Sequence, residues 1–167
     1  MFPVLLSHPC KPCGMFAAKR KHDIHTGIDL YCKMLAEVSC IEAGTVIDIF
    51  QFTGADVGSP WWNTTYSVVV ECDNHTYVYG ELIAALNLKI GDTVTVGSLL
   101  GYIMPVLRVD KGVTPVSMLH LEVWERLNYI QNFTWELGKE APVGLLDPLP
   151  FLSEIGDCYW LIKTKMG

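Results

Sequence analysis

Apolar residues come in short runs separated by glycine, asparagine and aspartate, the pattern of a domain built from β-strands. The run at residues 45–50 is rich in β-branched side chains, which favour strands. A second run at 66–72 ends at Asp73 and Asn74, and a third follows almost at once at 76–79. Because so few residues separate the second and third runs, we expect them to pair as an antiparallel hairpin.

Further strands are predicted at residues 90–94 and 96–103, each next to a glycine turn. Between residues 118 and 124, apolar Leu and Val alternate with a second set of side chains, namely Met118, His120, Glu122 and Trp124. A period of two places that second set on one face of a strand.

Helix is predicted to be scarce: one short turn or helix at residues 81–88 and another beyond Asn128. Residues 53–63 contain two glycines, a proline, Trp61 and Trp62, and read as a long loop between strands. The pattern as a whole predicts an all-β, mainly antiparallel fold with little helix.

Length and composition agree with one folded domain over residues 1–167, with a core at about 14–152 and a C-terminal tail at 153–167. The chain has 167 residues, of which 50% are hydrophobic and only 18% charged, which excludes an intrinsically disordered protein.

Charge narrows the range of partners. The net charge is −6, so we expect no binding to nucleic acid, whose phosphates require clustered lysine and arginine. The one basic cluster, residues 19–21, is interpreted as a solvated loop. No segment has the roughly 18 apolar residues of a membrane helix, and the N-terminus lacks the pattern of a signal peptide. The sequence therefore predicts a soluble protein made without an export signal of its own.

The chain has six cysteines. In the absence of a secretion signal we expect free thiols rather than disulfides. Cys10 and Cys13 form a CxxC pair, but no second pair follows, so incidental thiols are the simpler interpretation than a redox or metal site.

Histidine is rare enough to examine residue by residue, since the chain has only five. His25 and Asp29 are four residues apart around Gly27, a spacing that returns both side chains to one side of an extended or turning segment. His120 lies on the strand predicted at 118–124. A catalytic zinc needs three protein ligands and an open position for water, and these residues could supply the three. Spacing alone leaves a core or surface role open for every histidine.

Several motifs change this interpretation through their order. They are His25-Thr-Gly-Ile-Asp29, the segment 38–46, Tyr79-Gly-Glu-Leu82, the turn at 88–97, Met118-Leu-His-Leu-Glu122 and the closing Asp147-Pro148. In unbroken order over residues 14 to 152, they resemble the lysostaphin-type zinc endopeptidases, which cut peptidoglycan cross-bridges. The segment from His25 to Asp29 is similar to that family's HxGxD motif.

The resemblance implies a compact antiparallel β domain, a sandwich or open barrel, with a groove and one zinc ion at its floor. It carries the ligand roles to His25, Asp29 and His120. Glu122 would then orient the imidazole of His120. A plain surface carboxylate is the alternative for Glu122, and the two interpretations stand level.

Two positions depart from the family pattern, and both concern catalysis. Glu81 stands where the family has one catalytic histidine, and Met118 stands where it has the other. Typical members use these imidazoles to take a proton from water and to stabilise the oxyanion. A carboxylate beside a zinc-bound water is a competent general base, so Glu81 is the candidate catalytic residue. The candidate groove residues are Tyr79, also considered as an oxyanion donor, Met118, Trp61 and Trp62.

Two functions are expected on these grounds. The first is a zinc-dependent endopeptidase that cleaves peptidoglycan peptides with Glu81 as the base. It would suit a phage lysin, a virion-associated protein or an exported effector, which reach the wall without a signal peptide. The second is a catalytically inactive module that uses the same zinc-pinned groove to bind a peptide or a partner protein.

Overall fold

The structure is a computed structural model that describes residues 14–109 and 116–154. Within these ranges the chain forms eleven strands and one short helix. The strands are β1 (Asp23–Ile24), β2 (Ile28–Tyr31), β3 (Glu37–Ser39), β4 (Gly44–Thr53), β5 (Thr65–Glu71), β6 (His75–Ala84), β7 (Thr93–Val94), β8 (Leu99–Ile103), β9 (Met118–Glu125), β10 (Trp135–Glu136) and β11 (Leu145–Leu146), and the helix is α1 (Leu149–Glu154).

Nine of these strands form one sheet in which every recorded pair is antiparallel. Six strands lie side by side in the order β11-β9-β6-β5-β4-β7. Of the other three, β2 pairs with β9, β8 pairs with β6, and β3 pairs with β8. β5 and β6 form the expected hairpin, with Val69 opposite Val78. The all-β expectation is confirmed.

One face of the sheet is covered by an apolar core. Val46, Val68, Leu82, Leu119 and Leu121 are fully buried in it. Burial of apolar side chains is the main force that stabilises such a sheet. On the other face, a second cluster forms around buried Trp124 and Val78. This second face also carries the buried polar residues of the candidate site.

The prediction for residues 81–88 was wrong in part. β6 continues through Ala84 because Leu82, Ile83 and Ala84 pair with residues 101–103 of β8. Among the described residues, the only helix is α1, which lies beyond Asn128 where a second helix was expected.

The loop at residues 53–63 connects β4 to β5 as expected, and it is tied down rather than loose. The side-chain amide of Asn63 donates to the carbonyl oxygens of Pro105, at 2.9 Å, and Leu107, at 3.2 Å. Trp62 forms a β-bridge with Leu107 and packs over Gly58. These contacts make the loop a fixed wall beside the sheet.

Three cysteines lie among the described residues, and all three are buried free thiols: Cys32, Cys40 and Cys72. Burial raises the pKa of Cys32 and of Cys72 to about 12, so these thiols are protonated and unreactive at neutral pH. The CxxC pair of Cys10 and Cys13 lies outside the described residues. No helix in the described part of the chain has the length and apolarity to cross a membrane.

Candidate metal centre

Strand pairing brings the three predicted ligands together. β2 and β9 are antiparallel neighbours, and their register sets Asp29 directly opposite His120. His25 lies in the short link between β1 and β2, four residues before Asp29. All three side chains are buried, and their ligating atoms lie within 4.8 Å of one another.

The contacts among the three residues are close and nearly equal. Asp29 Oδ1 is 3.1 Å from His25 Nε2 and 3.0 Å from His120 Nδ1. The two imidazole nitrogens are 3.1 Å apart. In a tetrahedral zinc site with bonds near 2.1 Å, the ligand atoms are roughly 3.4 Å apart. A small outward movement would therefore bring the three donor atoms to that geometry.

The hydrogen bonds of the two imidazoles fix which nitrogen carries the proton. His25 Nδ1 lies 2.8 Å from the carbonyl oxygen of Met15, which can only accept, so Nδ1 carries the hydrogen. His120 Nε2 lies 3.0 Å from the Glu122 carboxylate and donates to it. When both imidazoles are neutral, the nitrogens that face Asp29, His25 Nε2 and His120 Nδ1, therefore each carry a lone pair. Three lone pairs that converge in a buried space fit a metal cation.

Without a metal, a bound proton must balance the negative charge of Asp29. Burial by itself would favour the neutral form of Asp29, but chiefly the hydrogen bond from His120 holds the pKa of Asp29 well below its usual range. Burial likewise disfavours the imidazolium of His120, yet the bonds to Asp29 and Glu122 outweigh it and raise the pKa to about 10. The pKa of His25 is lowered, first by burial. The metal-free site therefore keeps Asp29 ionised beside a protonated His120.

Arg20 is part of this centre, although residues 19–21 were interpreted as a solvated loop. Its guanidinium Nη2 donates to Asp29 Oδ2 at 2.7 Å, so Arg20 is exposed as expected but also contacts the centre. The arginine occupies one carboxylate oxygen of Asp29 and leaves Oδ1 for a cation. Nothing in the spacing of the sequence signalled this contact, which depends on a turn that closes before β1.

Glu122 is buried, so it is not a surface carboxylate. Its Oε1 accepts from His120 Nε2 and from the Thr26 hydroxyl, and its Oε2 accepts from the Trp124 indole at 2.9 Å. Because these donors occupy both oxygens, Glu122 fixes the orientation of the His120 ring.

Gly27 lies between two of the ligands where no side chain fits. A Cβ at this position would come within 2.4 Å of the Leu121 carbonyl oxygen and 2.9 Å of His120 Nε2. The glycine in the His-x-Gly-x-Asp spacing therefore allows β2 to approach β9 closely enough for the ligands to meet.

Glu81 faces the same cavity from β6 in an unusual backbone conformation. Its φ is +66°, in the left-handed region that non-glycine residues rarely adopt. The side chain is buried, and its Oε2 accepts from the Thr65 hydroxyl at 2.7 Å and from the Thr53 hydroxyl at 3.3 Å. Burial outweighs these bonds and raises the pKa of Glu81 to about 7.

The placement of Tyr79 corrects an expectation. Tyr79 is fully buried on the core face, and its hydroxyl accepts from the backbone N–H of Ile41 at 3.1 Å. It therefore lines no groove and cannot donate to an oxyanion there. The register between β5 and β6 shifts at this point, so β6 has an extra residue between Tyr79 and Leu82. This bulge and the left-handed Glu81 turn residues 79 and 81 to opposite faces, although a regular strand would keep them on one.

A cavity of about 580 Å³ is lined by the three candidate ligands and by Glu81. Met118 and Trp62 line it, as the sequence predicted. Trp61 is 74% exposed and does not belong to the lining residues. The ring of Phe52 lies 5.2 Å from the ring of His120 and was not anticipated. Thr53 and Thr65 were also missed, because no motif marks a hydroxyl that contacts a distant carboxylate.

Comparison with solved structures identifies the fold. The catalytic domain of lysostaphin, an antimicrobial peptidase from Staphylococcus simulans, matches with a TM-score of 0.52 and 20% identity over 78% of this chain and 80% of that chain. LytU matches with a TM-score of 0.54 and 18% identity over 84% and 81% of the two chains. The fold is thus that of the lysostaphin-type peptidase domains, as the resemblance implied.

A longer lysostaphin structure from the same organism matches with a TM-score of 0.56 and 19% identity over 85% of this chain, but over only 48% of its own length. No protein-family model matches the chain, and no curated protein matches it by sequence. At these identities the likeness concerns the fold.

Proposed function

We propose that this protein is a zinc-dependent endopeptidase that cleaves peptide bonds of peptidoglycan, with Glu81 as the general base. The observation that carries the proposal is the convergence of three lone pairs, from His25, Asp29 and His120, in a buried site that opens to a groove. The lysostaphin-like fold supports the same class, because lysostaphin is described as a peptidase.

Two imidazoles and one carboxylate are a common ligand set of catalytic zinc, and three protein ligands leave a position open. Bound there, zinc would polarise the scissile carbonyl and lower the pKa of water towards about 7. The same ligand set also accepts manganese, cobalt or nickel. Metal analysis of protein purified without added metal therefore tests the choice of zinc.

Glu81 is suited to accept the proton of the attacking water. In the metal-free protein its pKa is raised to about 7, near neutral pH, where a base can both take a proton and return it. The left-handed backbone at Glu81 is the kind of strain that persists where surrounding structure holds a functional side chain in place. The returned proton would go to the amine that leaves when the peptide bond breaks.

The groove offers an extended peptide a mixed surface. Trp62 and Met118 supply apolar contact area on the lining, and Trp61, which is exposed, could contact a longer substrate outside the cavity. Aromatic side chains suit this task because they add contact area with little loss of conformational entropy. The oxyanion would depend on the metal, since Tyr79 does not reach it.

Met118 favours a second candidate, an inactive module that binds a peptide or a partner protein in the same groove. A thioether can neither take a proton nor donate a hydrogen bond to an oxyanion, and Met118 lines the cavity beside the metal ligands. Under this alternative the metal would hold the groove in shape without turnover.

The Glu81→Gln variant separates the two candidates. It keeps the shape of the side chain but removes the base, so we expect hydrolysis of peptidoglycan to fall by about 10²- to 10⁴-fold with zinc content unchanged. The assay measures new amines released by zinc-loaded protein from peptidoglycans of different cross-bridges. Glu37→Gln, at an exposed position on β3, is the matched control and should keep full activity.

Two results would count against the enzyme. If the zinc-loaded wild type releases no amines from any of the peptidoglycans, the binding module replaces it. If Glu81→Gln hydrolyses as fast as the wild type, Glu81 is not the base.

A further inference from the structure

Two buried threonines connect Glu81 to the wall of the groove, and the role inferred for them rests on the proposed function. The Thr65 hydroxyl lies 2.7 Å from Glu81 Oε2 and 2.7 Å from the Thr53 hydroxyl. Thr53 in turn lies 3.0 Å from the carbonyl oxygen of Asn63. The four residues thus form a continuous series of polar contacts from the candidate base to the fixed loop.

The hydrogens of this chain point towards Glu81 when its carboxylate is ionised. Each hydroxyl has one hydrogen to donate, and the carbonyl of Asn63 can only accept. Thr53 therefore donates to Thr65, and Thr65 donates to Oε2. A proton that Glu81 takes on Oε1 leaves both of these bonds in place, because neither hydroxyl contacts Oε1.

Both hydroxyl contacts fall on the same carboxylate oxygen. Oε2 accepts from Thr65 and lies 3.3 Å from the Thr53 hydroxyl, whereas no described residue forms a hydrogen bond with Oε1. A carboxylate that is held by one oxygen keeps the other free to take a proton from water. Thr65 is fully buried and Thr53 is nearly so. Bulk water therefore does not compete with either hydroxyl for Glu81.

We propose that Thr65, supported by Thr53, is a positioning residue for the general base: it donates to Glu81 Oε2 and so leaves Oε1 to take and return the proton of water. Asn63 ends the chain on the rigid wall, since its side-chain amide is bound to Pro105 and Leu107. The chain therefore ties the orientation of the base to the part of the groove that contacts the substrate.

Thr65→Val removes the hydroxyl and keeps the volume, and Thr65→Ser restores a hydroxyl. A hydrogen bond to the ionised form lowers the pKa of a carboxyl group, so its loss should raise the pKa of Glu81 by about one unit. We expect the acidic limb of kcat/KM against pH to move up by about one pH unit in Thr65→Val, with KM nearly unchanged. Thr65→Ser should return the limb towards the wild-type position.

Thr76→Val is the matched control, because Thr76 is equally buried but donates to the Arg126 carbonyl at 2.9 Å, away from Glu81. If Thr65→Val and Thr76→Val have the same pH profile, Thr65 has a structural role only and the proposal is overturned. A Thr65→Ser profile identical to that of Thr65→Val would overturn it as well.

A second measurement keeps this proposal distinguishable from the proposed function. The carboxyl carbon of Glu81 can be titrated by NMR in zinc-loaded protein, whether or not the protein hydrolyses any peptidoglycan. An upward shift in Thr65→Val with no shift in Thr76→Val supports the positioning role even in an inactive protein. Absence of a shift in Thr65→Val overturns it even in an active one.

Discussion

The groove has two halves, a metal half on β2 and β9 and a second half on β6. A buried carboxylate has opposite pKa shifts in the two. On the β2–β9 side, the Asp29 carboxylate is surrounded by positive or donating partners, and its pKa lies well below the usual range. On the β6 side, the hydrogen bonds that described residues make to Glu81 come from neutral hydroxyls, and burial raises its pKa to about 7. Equal burial therefore yields a permanent anion in one half and a group that exchanges protons at neutral pH in the other.

Under the proposed function, this difference suits the two carboxylates to separate tasks. A ligand must stay ionised to hold a cation, whereas a base must change its protonation state during each turnover. Arg20 contributes to the contrast because its guanidinium bonds the oxygen of Asp29 that faces away from the two imidazoles. Changes that alter the partners of one half should affect metal binding, and changes in the other half should affect proton transfer.

The largest effect is expected from His120→Ala, which removes a ligand from the metal half. Loss of an outer hydrogen-bond partner reduces metal affinity by about 10–100-fold, and we expect loss of a ligand to reduce it by at least about 1,000-fold. Zinc content after dialysis should fall from near one ion per chain to near zero, as measured by elemental analysis. His75→Ala, a partly exposed imidazole outside the cavity, should keep its zinc. An unchanged zinc content in His120→Ala would contradict the ligand assignment.

The next effect concerns the stability of metal-free protein. The pKa of Glu81 in the folded state, about 7, lies above the ordinary glutamate value of 4.5. Below pH 4.5 both folded and unfolded states are protonated and nothing is lost. Between pH 4.5 and 7 the unfolded state releases its proton first, so stability falls as pH rises, by about 3 kcal/mol in full. We expect Glu81→Gln to avoid most of this loss.

Urea unfolding at pH 5 and pH 8 in the presence of a chelator measures that difference. The stability of Glu81→Gln relative to wild type should increase from the lower to the higher pH. Glu37→Gln, at an exposed carboxylate, should show no such increase. If the stability of Glu81→Gln relative to wild type is the same at pH 5 and pH 8, burial does not raise the pKa of Glu81, and the contrast between the two halves fails.

The smallest effect is expected from Glu122→Gln, which changes the partner of a ligand rather than a ligand. The amide is a weaker acceptor for His120 Nε2 and carries no charge, so zinc affinity should fall by about 10–100-fold. Competition with a chelator of known affinity measures the change. Glu125→Gln, an exposed residue on the same strand, should bind zinc as the wild type does. Equal affinity in the two variants would remove Glu122 from the metal half.

Much of the fold could be predicted because local patterns determine it. The β-branched runs, the short hairpin turn and the alternation in residues 118–124 depend only on neighbours in the chain. The resemblance also named the ligands that the strand pairing brings together, because His25, Gly27 and Asp29 form a compact motif. These features need no knowledge of distant contacts.

The rest depends on contacts between distant segments. Regular alternation would place Tyr79 and Glu81 on one face, and only the bulge in β6 separates them. Thr53 and Thr65 acquire their role from a carboxylate 28 and 16 residues away. Arg20 reaches Asp29 through a turn that no spacing rule describes. Such residues become visible only when the paths of the strands are known.

Gly27 has a consequence for how such a site can change over generations. It binds nothing itself, yet any larger residue there would press on the His120 ring and on the backbone of β9. The side chains at positions 81 and 118 line the cavity instead, so a change there alters the chemistry of the cavity without touching this close contact between strands. Position 27 has no such freedom, because a single methyl group would push apart the two strands that hold the ligands. Change at position 27 is therefore limited by the backbone of β9 rather than by any chemistry of the residue itself.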